Sequence, residues 1–441
     1  MMFVLGVLIF FVGILFSVAW HELGHFVTAR WFGIKVPEFM VGFGKTIVSV
    51  KRGETEYGLK AIPLGGYIRM IGMIPPARGE LLGSSRRTGP FQGLMDDVRA
   101  QSAMDVRPED ADRQFYLRAP WKRIIVMAAG PFMNLILAIV LFAILLMGIG
   151  IPTATTTVSA VNECVQPASV AATSEGPTVC TPADPPTPAA EAGFRPGDRI
   201  VAFDGEPYGE LEWTAQLDGT PSLQETIRAA SGTVTVTVER DGRQIDLRPE
   251  LITTELPSFT GEEGVYVQGS FLGLTPVQTY VRQDAGTVVV AIGDVIGRTG
   301  RAIAELPSRV PNLIGAVAGG ERDENGPIGI VGVSRIGGEV LAQDFTLAQD
   351  ASFLIQLLAA VNISLFLFNL LPIPPLDGGQ IFPAIWEAVK KRIWRLRGKA
   401  DPGPVDVAKL MPVAYVVALV FIVWSGLLFV ADIFNPVQLF Q

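Results

Sequence analysis

A chain of 441 residues could hold two or three soluble domains, but 49% hydrophobic and only 18% charged residues exclude that reading and point to a membrane protein. The formal charge of -8 argues against a nucleic-acid partner, which would call for a basic face. With two histidines and two cysteines in the whole chain, a metal site has few ligands to draw on.

The first element is an uncharged apolar run, Met1 to Trp20, that passes straight into His21-Glu22-Leu23-Gly24-His25. It lacks the basic start and small-residue cleavage site of a signal peptide, so it reads as a span. Residues four apart share one helix face, so both imidazoles can point at one ion while Glu22 sits beside it. Neutral imidazoles, an open position for water and a carboxylate to take the water's proton are the parts of a zinc hydrolase. An ionisable cluster continuing a membrane-length apolar run is costly unless it has a function. Ile47 to Val50, the turn at Gly53, Tyr57 to Ala61 and Tyr67 to Met70 read as short alternating strands of a β-hairpin region. The loop Ala61-Ile62-Pro63-Leu64-Gly65-Gly66-Tyr67 is apolar and would dip toward the bilayer. An exposed edge here would hold an unwound substrate segment by main-chain hydrogen bonds, with Gly65, Gly66 and Tyr67 as substrate-binding candidates; the alternative is a small structural sheet.

Ile74 to Gln114 reads as a polar cytosolic excursion, and Trp121-Lys122-Arg123 as the interfacial anchor of a second span, Ile124 to Ile151. Within that span Gly130, Pro131 and Asn134 are expected to serve close helix packing and one polar contact. Thr153 to Pro188 is a Pro/Ala/Thr-rich insertion carrying Cys164 and Cys180, which form a disulfide if the compartment is oxidising and stay free thiols if it is not. Compact structure resumes at Ala189, with Gly197-Asp198-Arg199-Ile200 ahead of a core strand and a hairpin turn at Asp241-Gly242. Thr279 to Leu306 is periodic but carries charges that include Arg282, Asp294, Arg298 and Arg301, and reads as an amphipathic helix pair. Gly326-Pro327-Ile328-Gly329-Ile330 is a loop returning to the membrane.

A third span, Ala351 to Leu376, ends in Asn369-Leu370-Leu371-Pro372-Ile373-Pro374-Pro375-Leu376-Asp377-Gly378-Gly379. Its prolines must break the helix, and broken helix at membrane depth lines a polar cavity. With both histidines used and the cysteines far away in sequence, a carboxylate has to supply the third ligand, and Asp377 is the best placed; the competing role is a helix-end carboxylate at the water boundary. Asn369 is placed to donate to the substrate or to the oxyanion of the transition state, or else serves as a helix contact. Leu410 to Ala431 is the fourth span.

Charge sets the expected orientation. Arg30 to Arg123 holds 16 Lys/Arg against 10 Asp/Glu, and Asp377 to Lys409 holds 7 against 4. Pro152 to Asp350 carries 27 acidic residues, 12 arginines and no lysine. The first and third connections are therefore expected in the cytoplasm, with the large second one and both termini outside.

His21-Glu22-Leu23-Gly24-His25, Gly42-Phe43-Gly44, Pro63-Leu64-Gly65-Gly66-Tyr67, Ala129-Gly130-Pro131-Phe132-Met133-Asn134, Gly197-Asp198-Arg199-Ile200 and Leu376-Asp377-Gly378-Gly379 resemble, in order, the bacterial site-2 protease family of intramembrane zinc metalloproteases. The resemblance implies Zn2+ held by His21, His25 and Asp377, with Glu22 catalytic and Asn369 and Pro372 facing the substrate. It implies cleavage of single-pass membrane proteins within the cell membrane, such as anti-sigma factors already cut outside by another protease, or remnant signal peptides. The expected fold is a multi-pass α-helical membrane protein of four transmembrane helices with a membrane-associated β-hairpin region and an extracytoplasmic PDZ-like α/β domain. Its divisions are the first transmembrane helix (1–34), the hairpin region (35–73), the cytosolic excursion (74–121), the second transmembrane helix (122–151), the insertion (152–188) and the PDZ-like domain (189–255). They continue with the amphipathic helices and loop (256–349), the third transmembrane helix (350–389), a basic cytosolic loop (390–408) and the fourth transmembrane helix (409–434). A rival reading is a membrane-anchored PDZ peptide-binding module with a structural zinc. A zinc transporter is disfavoured because the other spans offer no further His or acidic ligands.

Overall fold

The computed structural model describes residues 1–76, 95, 97–100, 102, 106–165, 180–181, 184–214, 221–258, 266–320, 322–323, 326–343 and 345–437, with backbone alone at Pro63 and Leu64. The central parts of the expected cytosolic excursion and of the Cys-bearing insertion lie outside the described residues. The chain divides into two compact units, 1–147 with 284–440, and 148–283.

In the first unit, α1 (Met2–Trp31) runs unbroken through the two histidines. The hairpin follows as β1 (Glu38–Arg52) and β2 (Thr55–Arg69), paired antiparallel. The stretch 61–67, expected as a loop between two short strands, is instead the second half of β2; its apolar residues continue the ladder with β1. The hairpin base is tied to the segment after residue 106. Lys35 pairs with Asp110, and Arg113 forks onto Glu54 at 2.7 and 2.8 Å. Hydrogen bonding from Lys35 and from Arg113 holds the Asp110 and Glu54 carboxyls, respectively, below their ordinary range. Helix α2 (Pro120–Ala143) starts with proline in its first turn, where the missing N–H costs nothing, and continues as a π-helical turn over Ile144–Ile149.

The second unit is built on sheets. It contains β3 (Ile151–Val161), α3 (Pro188–Ala192), β4 (Arg199–Phe203), β5 (Glu206–Pro207), α4 (Leu223–Ala229), β6 (Gly232–Thr233), β7 (Val236–Arg240), β8 (Arg243–Leu247), β9 (Glu250–Pro257), β10 (Tyr266–Phe271) and β11 (Leu274–Val281). One sheet has the order β11-β3-β4-β7-β8, with β5 on β4, and a second has the order β10-β9-β6. Ile200, Phe203, Leu223, Val236 and Val238 are at the centre of its core. The turn at Gly197-Asp198-Arg199-Ile200 does lead into a core strand: buried Asp198 accepts from Arg240 at 2.7 Å through both oxygens and from the Arg195 N–H at 2.8 Å. Two expectations are corrected here. The unit is wider than 189–255, because β3 lies within what reads as a linker and β9 to β11 extend it to Val281. The β-branched threonines at 153 and 155–157 suit a strand better than the Pro-rich residues behind them. Cys164 and Cys180 are joined by a disulfide, Cα to Cα 5.8 Å.

The first unit resumes with α5 (Ala285–Val317), one helix of 33 residues where the pattern predicts a pair. Asp284 caps it through the Thr287 N–H at 2.8 Å, while Thr279 to Val281 belong to β11. The loop at Gly326 to Ile330 leads into α6 (Ile330–Ala342) and is pinned by buried Asp432, which accepts from the Gly329 and Gly332 N–H groups at 2.9 Å and pairs with Arg322 at 3.1 Å. Helix α7 (Leu347–Leu370) stops where Pro372 begins the break. Helix α8 (Gly378–Leu396) then carries Lys390, Lys391, Arg392 and Arg395, so the first part of the expected basic loop, 390–396, is helical. Buried Glu387 of α8 pairs with Arg123 of α2 at 2.6 Å. Helix α9 (Met411–Phe434) completes the bundle.

Among the described residues four helices, Met2–Trp31, Pro120–Ile149, Leu347–Leu370 and Val407–Phe434, are long and apolar enough to cross a membrane. Their outward side chains are apolar. Val12, Phe16, Ile136, Val416, Leu419 and Ile422 are each 47–68% exposed, a surface that hydrocarbon covers and water would not tolerate.

Candidate metal centre

His21 and His25, one turn apart on α1, are both buried. Their Nε2 atoms lie 3.2 Å apart. Asp377 occupies the N-cap position of α8, just beyond the proline break, and its Oδ2 lies 3.1 Å from His21 Nε2 and 3.3 Å from His25 Nε2. The backbone is held in a tight turn there, with Gln380 and Ile381 N–H groups donating to the Asp377 carbonyl at 2.9 and 3.0 Å.

The donor set fits zinc. Bonds of about 2.0–2.1 Å in tetrahedral array place ligand atoms about 3.3–3.4 Å apart, close to all three edges of this triangle. Asp377 Oδ2 is buried and accepts no hydrogen bond, although two imidazole nitrogens approach it, and a cation among the three atoms would satisfy it. Two neutral imidazoles and one carboxylate also leave one of four positions for water. Among the described residues no other group of three or more His, Cys, Asp or Glu brings its ligand atoms together.

Glu22 is the neighbour of His21 on the same helix turn and lies against β2. A Cβ added at Gly66 would come within 3.1 Å of Glu22 Cγ, of Val18 Cγ1 and of the Met40 carbonyl. Glycine at 66 therefore lets the strand pass directly over the glutamate. Tyr67 donates to Glu38 at 3.0 Å and stacks on Phe43 at 6.1 Å, and Gly65 lies against the same Phe43 ring. Of the sequence candidates, His21, His25 and Asp377 converge, and Gly66 approaches Glu22. Asn369 donates to the Leu365 carbonyl of its own helix at 3.0 Å and not to the triangle, and Pro372 occupies the break.

Helix α2 makes its close packing and polar contacts against both imidazoles. Its Val126 carbonyl lies 2.7 Å from His25 Nδ1, and Asn134, from which one polar contact was expected, has its side-chain amide 3.2 Å from His21 Nδ1. Gly130 faces His25 so closely that a Cβ there would fall 2.1 Å from Nε2. The sequence signal was a buried asparagine one turn beyond Gly130 in an otherwise apolar run.

A membrane-embedded bundle in which two imidazoles, a carboxylate and an adjacent glutamate meet belongs to the class of membrane metallopeptidases. The comparisons agree with that class. The family model described as "Peptidase family M50" matches residues 9–411. The chain is 34% identical to "Zinc metalloprotease Rip1" of Mycobacterium tuberculosis over 454 residues, covering 100% of both chains. It is likewise 34% identical, at full coverage of both, to the protein of that name from Mycolicibacterium smegmatis. With "Metalloprotease MmpA" of Caulobacter vibrioides it shares 29% identity over 90% of this chain and 91% of the other. The chain belongs to peptidase family M50, the site-2 proteases, and is a zinc metalloprotease of the membrane.

Proposed function

We propose that the chain hydrolyses peptide bonds within the transmembrane segments of single-pass membrane proteins, with zinc held by His21, His25 and Asp377. The observation that carries this reading is the triangle of ligand atoms at 3.1–3.3 Å inside the helical bundle. When bound, the ion supplies Lewis-acid polarisation of a water and of the scissile carbonyl. Glu22 takes the water's proton and returns it to the leaving nitrogen, so one carboxylate serves first as base and then as acid. The asparagine and proline at 369 and 372 face the substrate. β2 crosses Glu22 at Gly66 and offers its backbone to a segment that has left helical form, aligning an extended chain across the ligand triangle.

The same reading fixes topology. The basic connections face the cytoplasm, and the acidic unit at 148–283 and both termini face outward. The disulfide at Cys164 and Cys180 is at home in an oxidising outer compartment. His21 lies 19 residues into α1, about 28 Å along its axis at about 1.5 Å per residue, and so toward the cytoplasmic side of the bilayer. The outer unit is a PDZ-like domain that sorts substrates, and the substrate class is anti-sigma factors trimmed outside beforehand, or remnant signal peptides.

The test is cleavage of a single-pass substrate by the purified protein in zinc-containing liposomes, with the cut mapped by mass spectrometry. A cut inside the apolar segment, abolished by a chelator and restored by zinc, is expected. Cuts confined to the soluble flanks, or indifferent to the chelator, would contradict the reading.

A further inference from the structure

The ligands on α1 are oriented by α2. A carbonyl only accepts, so the 2.7 Å contact from Val126 places the ring proton of His25 on Nδ1 and leaves Nε2 as a lone pair aimed at the triangle. His21 needs the same arrangement, and the one side chain that hydrogen-bonds its Nδ1 is Asn134, among the described residues. Asn134 is fully buried, and its Oδ1 has no partner. The two ends of a carboxamide have the same shape. Turned about its last bond, the amide presents Oδ1 to His21 Nδ1–H, which both satisfies the orphaned oxygen and frees Nε2 as a ligand. Val126, Gly130 and Asn134 recur every four residues and form one stripe of α2. The carbonyl, the missing Cβ and the amide along that stripe all meet the two imidazoles.

Resting on the site proposed above, we infer that Asn134 is a positioning residue that fixes the tautomer and ring plane of His21, and thereby sets how tightly the chain holds zinc. Removing the amide leaves a buried ring nitrogen unpaired and lets the imidazole turn. Outer partners of metal-bound histidines are typically worth about 10–100-fold in metal affinity.

The experiment compares wild type with Asn134→Leu, which keeps the volume, Asn134→Ala, which relieves crowding, and Asn134→Asp, which keeps an acceptor. Zinc affinity is read by competition with a chromophoric chelator, on protein whose fold is checked by size and thermal unfolding. Both apolar variants are expected to bind zinc about 10–100-fold more weakly, and Asn134→Asp to stay within a few-fold of wild type. A packing role would instead leave affinity unchanged in whichever apolar variant folds, and that result overturns the inference alone. Absence of zinc from wild-type protein would overturn the site and the inference together.

Discussion

Glu22→Gln is expected to abolish proteolysis, by about 10²–10⁴-fold from the loss of acid–base catalysis, while the purified protein keeps a full complement of zinc. The amide occupies the same volume against Gly66 and can still hydrogen-bond, but it cannot accept a proton from water or deliver one to the leaving nitrogen. Because the proposed ligands are other residues, neither the metal nor the substrate should be lost. The check is a paired measurement of single-turnover cleavage in liposomes and of zinc per chain. A variant that cleaves at the wild-type rate removes Glu22 from the chemistry. One that loses cleavage and zinc together makes it part of the metal site.

Asp377→Ala is expected to fail differently, losing cleavage because it loses zinc. It removes one corner of the triangle and leaves two imidazoles 3.2 Å apart, with no carboxylate to fix the ion or to offset its charge in a region shielded from water. It also deletes the side chain that links the proline break to α1, so the start of α8 is no longer tied to the histidines. Metal analysis should find the variant largely zinc-free under conditions where wild type and Glu22→Gln each hold one ion. Unchanged zinc content would refute the assignment of Asp377 as a ligand. The contrast between the two carboxylates separates a proton carrier from a ligand.

The legible and illegible parts of the chain divide along physical lines. Hydropathy over about 20 residues is a strong signal, so the four apolar helices could be read directly. The pairing of His21 with His25 follows from helical spacing, and the break before Asp377 follows from proline chemistry. That Asp377 reaches α1 across more than 350 residues of chain rested on elimination among scarce ligand types. Long-range pairing was harder to read. β3 was hidden because its partner β11 lies over 100 residues away and because the following residues are rich in proline. Helix α5 was read as a pair ending at Leu306 from its periodicity and charges, yet it is one helix that continues through Pro307 and Pro311, with Val288, Ile292, Leu313 and Ala316 buried along it. Asn134 makes the polar contact expected of it, but that its partner is the His21 ring could not be read. A buried amide in an apolar helix has the same sequence signature whether it meets a carbonyl or the back of a metal-binding ring, and only tertiary packing distinguishes the two.

X-ray absorption at the zinc edge of the purified wild-type protein tests the account most directly. One ion per chain is expected, with only nitrogen and oxygen neighbours at about 2.0–2.1 Å and the outer-shell scattering of two imidazoles. Sulfur in the first coordination sphere, scattering from fewer than two imidazoles, or no zinc at all would contradict it.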